Sequence, residues 1–225
     1  MRIVVFGNYG SINYGDEACL AATLHVLKGI VPSAEFHVAS KYPEHTRRTY
    51  GVQAFPRYPG IPSVPWPSPE PSAPPQSSLL KRAVKSIPGV VAAHEFAQTQ
   101  KRRAKRKAQK TALQEGGLEE HFCQQLLKAD CVVLGGGEAI LNDWPDAAYE
   151  YGALANACET TETPLFCLGI GVSLATDAGL GGIEKLLRSS RFTTYRDSFS
   201  CEQVARRFGE LGAIGRDMAF VPGWF

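Results

Sequence analysis

A chain of 225 residues with 44% hydrophobic content can bury one large core or two small ones, which excludes disorder throughout. Its 24 basic and 22 acidic residues leave a net charge of +2, so nothing global calls for a nucleic-acid partner. Six cysteines without a C-x-x-C pair read as reduced, core-packing thiols rather than as metal ligands, and no apolar run approaches a membrane span.

Residues 2–6 are a short apolar, β-branched run, and 16–30 place apolar side chains at helical spacing, so the opening predicts strand, glycine-rich turn and helix. The N-terminus enters this strand without a signal-peptide pattern, so the default location is cytoplasmic. The glycines of the turn, Gly7, Gly10 and Gly15, do not fit the spacing of a dinucleotide-binding loop. The helix opens on Asp16 and Glu17, whose charges occupy the positive end of the helix dipole and repel a pyrophosphate. A neutral polyol suits the turn better, its hydroxyls donating to these carboxylates and accepting from Asn8 or backbone N–H groups. The alternative is that Asp16 is the helix N-cap and Glu17 only complements the dipole, with no ligand at all.

Further strand-length apolar runs lie at 35–39, 130–134 and 164–168, with a weaker one at 191–195 and another near 217–221. Helical patterns at 118–128, 146–158, 181–190 and 198–208 alternate with them. This order predicts an α/β fold, a Rossmann-like parallel sheet with helices on both faces, and ligands at the carboxyl ends of its strands.

The alternation is broken by "PRYPGIPSVPWPSPEPSAPP" at 56–75, whose proline density predicts an extended surface excursion. The basic stretch that follows, with an apolar stripe at Leu79, Leu80, Ala83, Val84 and Ile87 and the run "KRRAKRKAQK", has two readings. It is either an amphipathic segment for an anionic membrane surface, over 79–110, or a solvated charged helix. Nucleic-acid binding is disfavoured because no aromatic residues interleave the cations.

Three later turns also fall after predicted strands. "ADCVVLGGGEAILND" carries Gly135, Gly136 and Gly137, whose N–H groups could form a nest for an anion or hydroxyl, unless the turn only packs tightly. Asp143, further on, could cap the next helix. "PLFCLGIGVSL" repeats the pattern with Gly169 and Gly171. In "RFTTYRDSFSCEQV", Asp197 or Ser198 is the expected N-cap, and Arg196 either grips a carboxylate or phosphate or pairs with a neighbouring acid. Together the turns predict a cleft along one sheet edge.

In their order, "GNYGSINYGDEACL", "ADCVVLGGGEAILND", "GIGV", "YRDSFS" and "GRDMAF" resemble the motifs of the polysaccharide pyruvyl transferase family, from Arg2 to Phe220. Departures are Glu138, where a small polar residue is common, extra residues between Gly10 and Gly15, and the unmatched segment 56–115. The resemblance implies one half of a two-domain, glycosyltransferase-B-like enzyme. The expected domain is 1–225 with an insertion at about 56–116, and a second half carrying an Arg/His motif is expected elsewhere, since the last histidine is His121. It further implies pyruvyl transfer from phosphoenolpyruvate onto two sugar hydroxyls as a ketal, without a cofactor or metal, in glycan biosynthesis. Asp16 and Glu17 would then orient or deprotonate acceptor hydroxyls. Asn8 and the glycines at 7, 10, 15, 135–137, 169 and 171, with Asp143, would line the cleft, and Arg196 would reach the donor. The acceptor implied by the resemblance is a sugar or lipid-linked glycan. Alternatives are a non-catalytic glycan-binding module and a fragment of a nucleotide-sugar glycosyltransferase.

Overall fold

Strands buried on both faces of a parallel sheet read as unbroken apolar runs, and "RIVVF" is one: Val4 and Val5 are wholly buried and Ile3 and Phe6 nearly so. The structure, a computed structural model, describes residues 1–10, 13–59, 117–137, 140–141, 145–174, 177 and 179–220. The elements below belong to one compact unit formed by Met1–Val64 and Gly117–Phe225. The proline-rich stretch from 60 to 75, the basic segment 79–110, Glu138 and Asp143 lie outside the described residues.

In chain order the first half carries β1 (Arg2–Phe6), α1 (Tyr14–Ile30), β2 (Glu35–Ser40), α2 (Pro43–Tyr50) and β3 (Gln53–Pro56). Then follow α3 (Leu118–Leu126), β4 (Cys131–Gly135), β5 (Ile140–Leu141), α4 (Pro145–Thr160), β6 (Leu165–Ile170) and β7 (Val172–Ser173). The chain continues with α5 (Leu180–Ser189), β8 (Ser190–Tyr195), α6 (Ser198–Phe208), β9 (Ala213–Ile214) and a 3-10 turn at Met218–Phe220.

Seven strands form one parallel sheet in the order β3-β2-β1-β4-β6-β8-β9. The order reverses between β1 and β4, the topological switch point at which open α/β sheets bind ligands. Side chains alternate across β1. Ile3 and Val5 pack in one cluster with Leu20, Leu24 and Leu27 of α1, whereas Phe6 meets Phe55 and Phe122 edge-on, at centroid distances of 5.9 and 5.0 Å. The sheet is therefore covered on both faces, as the sequence predicts. Full burial of a side chain such as Phe122 is worth about 2 kcal/mol.

Several expectations are corrected. Within the strand expected near 217–221, Met218–Phe220 form a 3-10 turn, where Asp217 Oδ1 accepts the Ala219 N–H at 2.9 Å and closes a local turn. The last strand is instead Ala213–Ile214, both of whose residues are exposed and so carry no burial signal. The proline-rich excursion does not begin at 56. Pro56 ends β3, which lies at the end of the strand order where a missing N–H is tolerated; beyond it Arg57 is buried and Tyr58, half-buried, donates to Glu150. Helix α2, "PEHTRRTY", is too polar to show an apolar period and is an element the sequence reading omits.

Candidate functional site

The loop after β1 is held from within. Asn13, not Asp16, caps α1: its Oδ1 accepts the Gly15 N–H at 3.0 Å, and the helix starts at Tyr14. The alternative reading of Asp16 as N-cap is thereby overturned, because an earlier asparagine already meets the orphan donor of the first turn. Glu17 accepts the Gly10 N–H at 2.7 Å with one carboxylate oxygen and the Tyr50 hydroxyl at 2.8 Å with the other. It ties the loop to α2. Tyr9 lies across the loop, fully buried, its hydroxyl donating to the Gly135 carbonyl at 2.6 Å. A Cβ on Gly7 would stand 2.3 Å from the Tyr9 ring, and one on Gly135 would stand 2.9 Å from its hydroxyl, so both glycines make room for this tyrosine.

Asp16 is turned instead toward Asn8 and the triple-glycine loop. It is 9% exposed, its Oδ2 accepts from Asn8 Nδ2 at 2.8 Å, and a Cβ on Gly137 would lie 3.4 Å from its Oδ1. The absence of that Cβ brings the triple-glycine loop against the carboxylate. The other face of the Asn8 amide is fixed by cations, since its Oδ1 accepts from Lys41 Nζ at 3.0 Å and from Arg57 Nη1 at 3.3 Å. A carboxylate can only accept and an ammonium only donate, so these partners set the amide's orientation without ambiguity. Arg57 also donates to the Gly7 carbonyl at 2.7 Å and pairs with Glu150, which accepts the Tyr58 hydroxyl at 3.0 Å. Burial works against the Arg57 charge, but the Glu150 carboxylate outweighs it and holds the guanidinium well above its ordinary range.

On the far side of the switch point, the second and third loops are stitched together. Gly171 N–H donates to the Gly137 carbonyl at 2.8 Å, Ile140 N–H to the Gly171 carbonyl at 3.0 Å, and β5 pairs with β7. Gly136 and Gly169 spend their N–H groups on the Leu168 carbonyl and on Thr194 Oγ1. The expected nest of free glycine N–H groups is thus largely consumed by the fold. Arg196 follows β8 and lies against Gly171, where a Cβ would meet its Nε at 2.7 Å. Its Nε donates to Asp197 at 3.0 Å and its Nη1 stands 3.9 Å from Asp217. Arg196, Asp197, Arg216, Asp217 and Phe220 line an open cavity of about 460 Å³. Asp217 also reaches Cys19 Sγ at 3.7 Å. Burial, then the Asp217 charge, pushes the Cys19 thiol up to about 12, so it is no nucleophile at neutral pH.

Of the expected site residues, Asn8, Asp16 and Gly137 lie together, Gly171 is hydrogen-bonded to Gly137, and Arg196 lies against Gly171. Gly7, Gly10, Gly15, Gly135, Gly136 and Glu17 hold the loops in shape. Lys41, Arg57 and Glu150 escaped the sequence reading, and Asp217 entered it only as part of the "GRDMAF" motif. Lys41 and Arg57 each sit one residue beyond a strand, at the carboxyl end, and that position is the signal that could have found them. Glu150, inside a helix, offers no such signal. Among the described residues no group of three His, Cys, Asp or Glu side chains could hold a metal ion, and no helix is long and apolar enough to cross a membrane.

These features define a Rossmann-like α/β domain whose switch point presents side-chain carboxylate, amide, ammonium and guanidinium groups in place of a phosphate-cradling glycine loop. A family model described as polysaccharide pyruvyl transferase matches residues 13–223, and the chain belongs to that family. The match covers nearly the whole chain, beginning after Gly7, Asn8 and Gly10. Comparison with curated proteins and with solved structures gives no match.

Proposed function

We propose that this protein transfers a pyruvyl group from phosphoenolpyruvate to a sugar or lipid-linked glycan in polysaccharide biosynthesis, and that the domain described supplies the acceptor side of the cleft. In the overall reaction, C3 of the enol takes a proton, two acceptor oxygens bond to C2, and the C2–O bond to phosphate breaks. One of the two hydroxyl protons is matched by the new C–H bond and the other leaves with phosphate. The residues present act on the acceptor. Asp16, oriented by Asn8, accepts a hydrogen bond from an acceptor hydroxyl and increases the nucleophilicity of its oxygen. Glu17, Tyr50 and Arg57 keep the loop in place, and Arg196 lies where the negative charge of a donor could be met. The observation that carries this reading is the meeting of Asp16 and Asn8 at the switch point of a chain belonging to this family. We place the reaction in the cytoplasm, at the inner face of the membrane, with residues 79–110 as the segment that meets anionic lipid; flotation with neutral and anionic liposomes tests this.

The test of the reaction is phosphate release from phosphoenolpyruvate by the purified chain, with and without acceptor glycan. Acceptor-dependent release that is lost in Asp16→Asn supports pyruvyl transfer, and release by this chain alone would show that catalysis needs no second half. Acceptor binding without release would favour a non-catalytic glycan-binding module. Tight calorimetric binding of a nucleotide sugar, with no response to phosphoenolpyruvate, would overturn the pyruvyl reading.

A further inference from the structure

Lys41 is a half-buried ammonium one residue beyond β2, on the β1 side of the switch point. Its Nζ donates to Asn8 Oδ1 at 3.0 Å, and among the described residues no carboxylate forms an ion pair with it. The acids around it are engaged with other groups. Glu150 receives Arg57 and Tyr58, and Asp16 receives the Asn8 amide. Charges taken out of water are ordinarily matched by an opposite charge and by hydrogen bonds to each donor. Here one donor of three is matched by a neutral amide oxygen, while the nearby Arg57 cation adds repulsion. Structural use alone therefore leaves this lysine undercompensated.

We propose that Lys41 binds an oxyanion of the ligand, a phosphate or carboxylate oxygen, beside the hydroxyl-binding Asp16. Asn8 divides the two tasks, its N–H side facing the acid and its carbonyl side facing the cation, so a ligand with a hydroxyl and an anionic group a few ångströms apart meets both. Burial, with the Arg57 charge behind it, holds the Lys41 ammonium below the ordinary lysine range, against the opposing pull of Glu150 and Asp16; an oxyanion at this point would restore the charge. Phosphoenolpyruvate and the diphosphate of a lipid-linked acceptor share this chemistry, and choosing the first as the principal probe rests on the pyruvyl-transfer reading.

The experiment is calorimetric titration of the full chain with phosphoenolpyruvate, inorganic phosphate, methyl diphosphate and a neutral methyl glycoside, for the wild type, Lys41→Met, Lys41→Gln and Lys41→Arg. Thermal unfolding verifies that each variant is folded, and Lys41→Gln, which keeps a donor for Asn8, serves if Lys41→Met does not fold. Anion binding should weaken at least tenfold in the Met and Gln variants and recover in part in Lys41→Arg, while glycoside binding is retained in Lys41→Gln, which keeps a donor for Asn8. The anion that loses most identifies the source: phosphoenolpyruvate for the donor, methyl diphosphate for the acceptor. Equal anion affinity in wild type and both neutral variants, or no anion binding by the wild type, overturns the proposal. Lys41-dependent binding of inorganic phosphate or methyl diphosphate, together with tight nucleotide-sugar binding and no response to phosphoenolpyruvate, would sink the pyruvyl-transfer reading and leave this one standing.

Discussion

Arg57 and Glu150 close a two-point ion pair between the end of β3 and helix α4, with Nη2 donating to Oε2 at 2.9 Å and Nε donating to Oε1. Their side chains are 8% and 6% exposed, so neither charge could be left alone without a large desolvation cost. Removing one partner, in Arg57→Met or Glu150→Leu, should cost about 3–5 kcal/mol of stability. The double variant should recover most of that loss, because two apolar side chains of similar volume leave no orphan charge. Urea denaturation of the four proteins measures the cycle, and additive losses would show that the pair is not coupled. Because Arg57 also donates to the Gly7 carbonyl, the single variants should loosen the first loop as well.

The start of α1 separates a capping residue, Asn13, from the proposed acceptor-binding residue Asp16 three positions later. Asn13→Ala removes the acceptor for the Gly15 N–H and should cost about 1 kcal/mol of stability. Ligand binding should change little, apart from what the loosened helix end transmits. Asp16→Asn keeps the cap and loses only a charge near the helix dipole, so stability should change by less than about 1 kcal/mol. Binding of the acceptor, read by calorimetry, should fall at least tenfold in Asp16→Asn. The opposite pattern, with Asp16→Asn destabilising and binding intact, would return Asp16 to a structural role.

The sheet was legible because its strands are apolar runs buried on both faces, a pattern that leaves its mark in composition alone, as in Arg2–Phe6 and Cys131–Gly135. Helix α2 and strands β3 and β9 left no such mark: the first is polar and the other two are short or exposed. The carboxyl-end rule marked where to look for a site, and the family resemblance is confirmed by the match over residues 13–223. Sequence spacing could not say which polar groups in the loops are spent on one another. Glu17 and Asp16 are adjacent and chemically alike, yet one is consumed by Gly10 and Tyr50 while the other faces Gly137. Nor could spacing join Arg57 to Glu150 across the chain.

Gly136 has a φ of +48°, and a Cβ there would stand 2.7 Å from the Cys19 Cβ and 3.2 Å from that of Met218. Gly136→Ala therefore combines a left-handed backbone with a clash against α1 and the 3-10 turn, and should cost about 2–4 kcal/mol. Gly29→Ala in the exposed last turn of α1, where a Cβ meets nothing within 4 Å, should be neutral or stabilising by up to about 1 kcal/mol. Thermal unfolding of the two variants side by side tests whether the triple-glycine loop is held by packing. A harmless Gly136→Ala would show that the loop shifts freely.

Asp197 links the start of α6 and Arg196 to pH. Its carboxylate caps α6 by accepting the Ser200 N–H at 2.7 Å and also accepts from Arg196 Nε. Partial burial acts to raise its titration, but the Ser200 hydrogen bonds and the Arg196 charge outweigh that and hold it below the ordinary aspartate range. A carboxylate depressed in the folded state stabilises fully above its unfolded value, about 3.9, and the contribution disappears as pH falls through the folded value. Asp197→Asn retains a capping oxygen but removes the charge, so wild type should be the more stable near pH 6 and the difference should shrink steadily as pH drops below about 4. The other carboxylates titrate in both proteins and cancel in the comparison. The side chain is 41% exposed, so solvent screening keeps the effect modest, and it should diminish further in high salt. A stability difference that stays constant from pH 6 to below the folded-state titration would show that the cap acts through its geometry alone, leaving Arg196 to be held by Asp217.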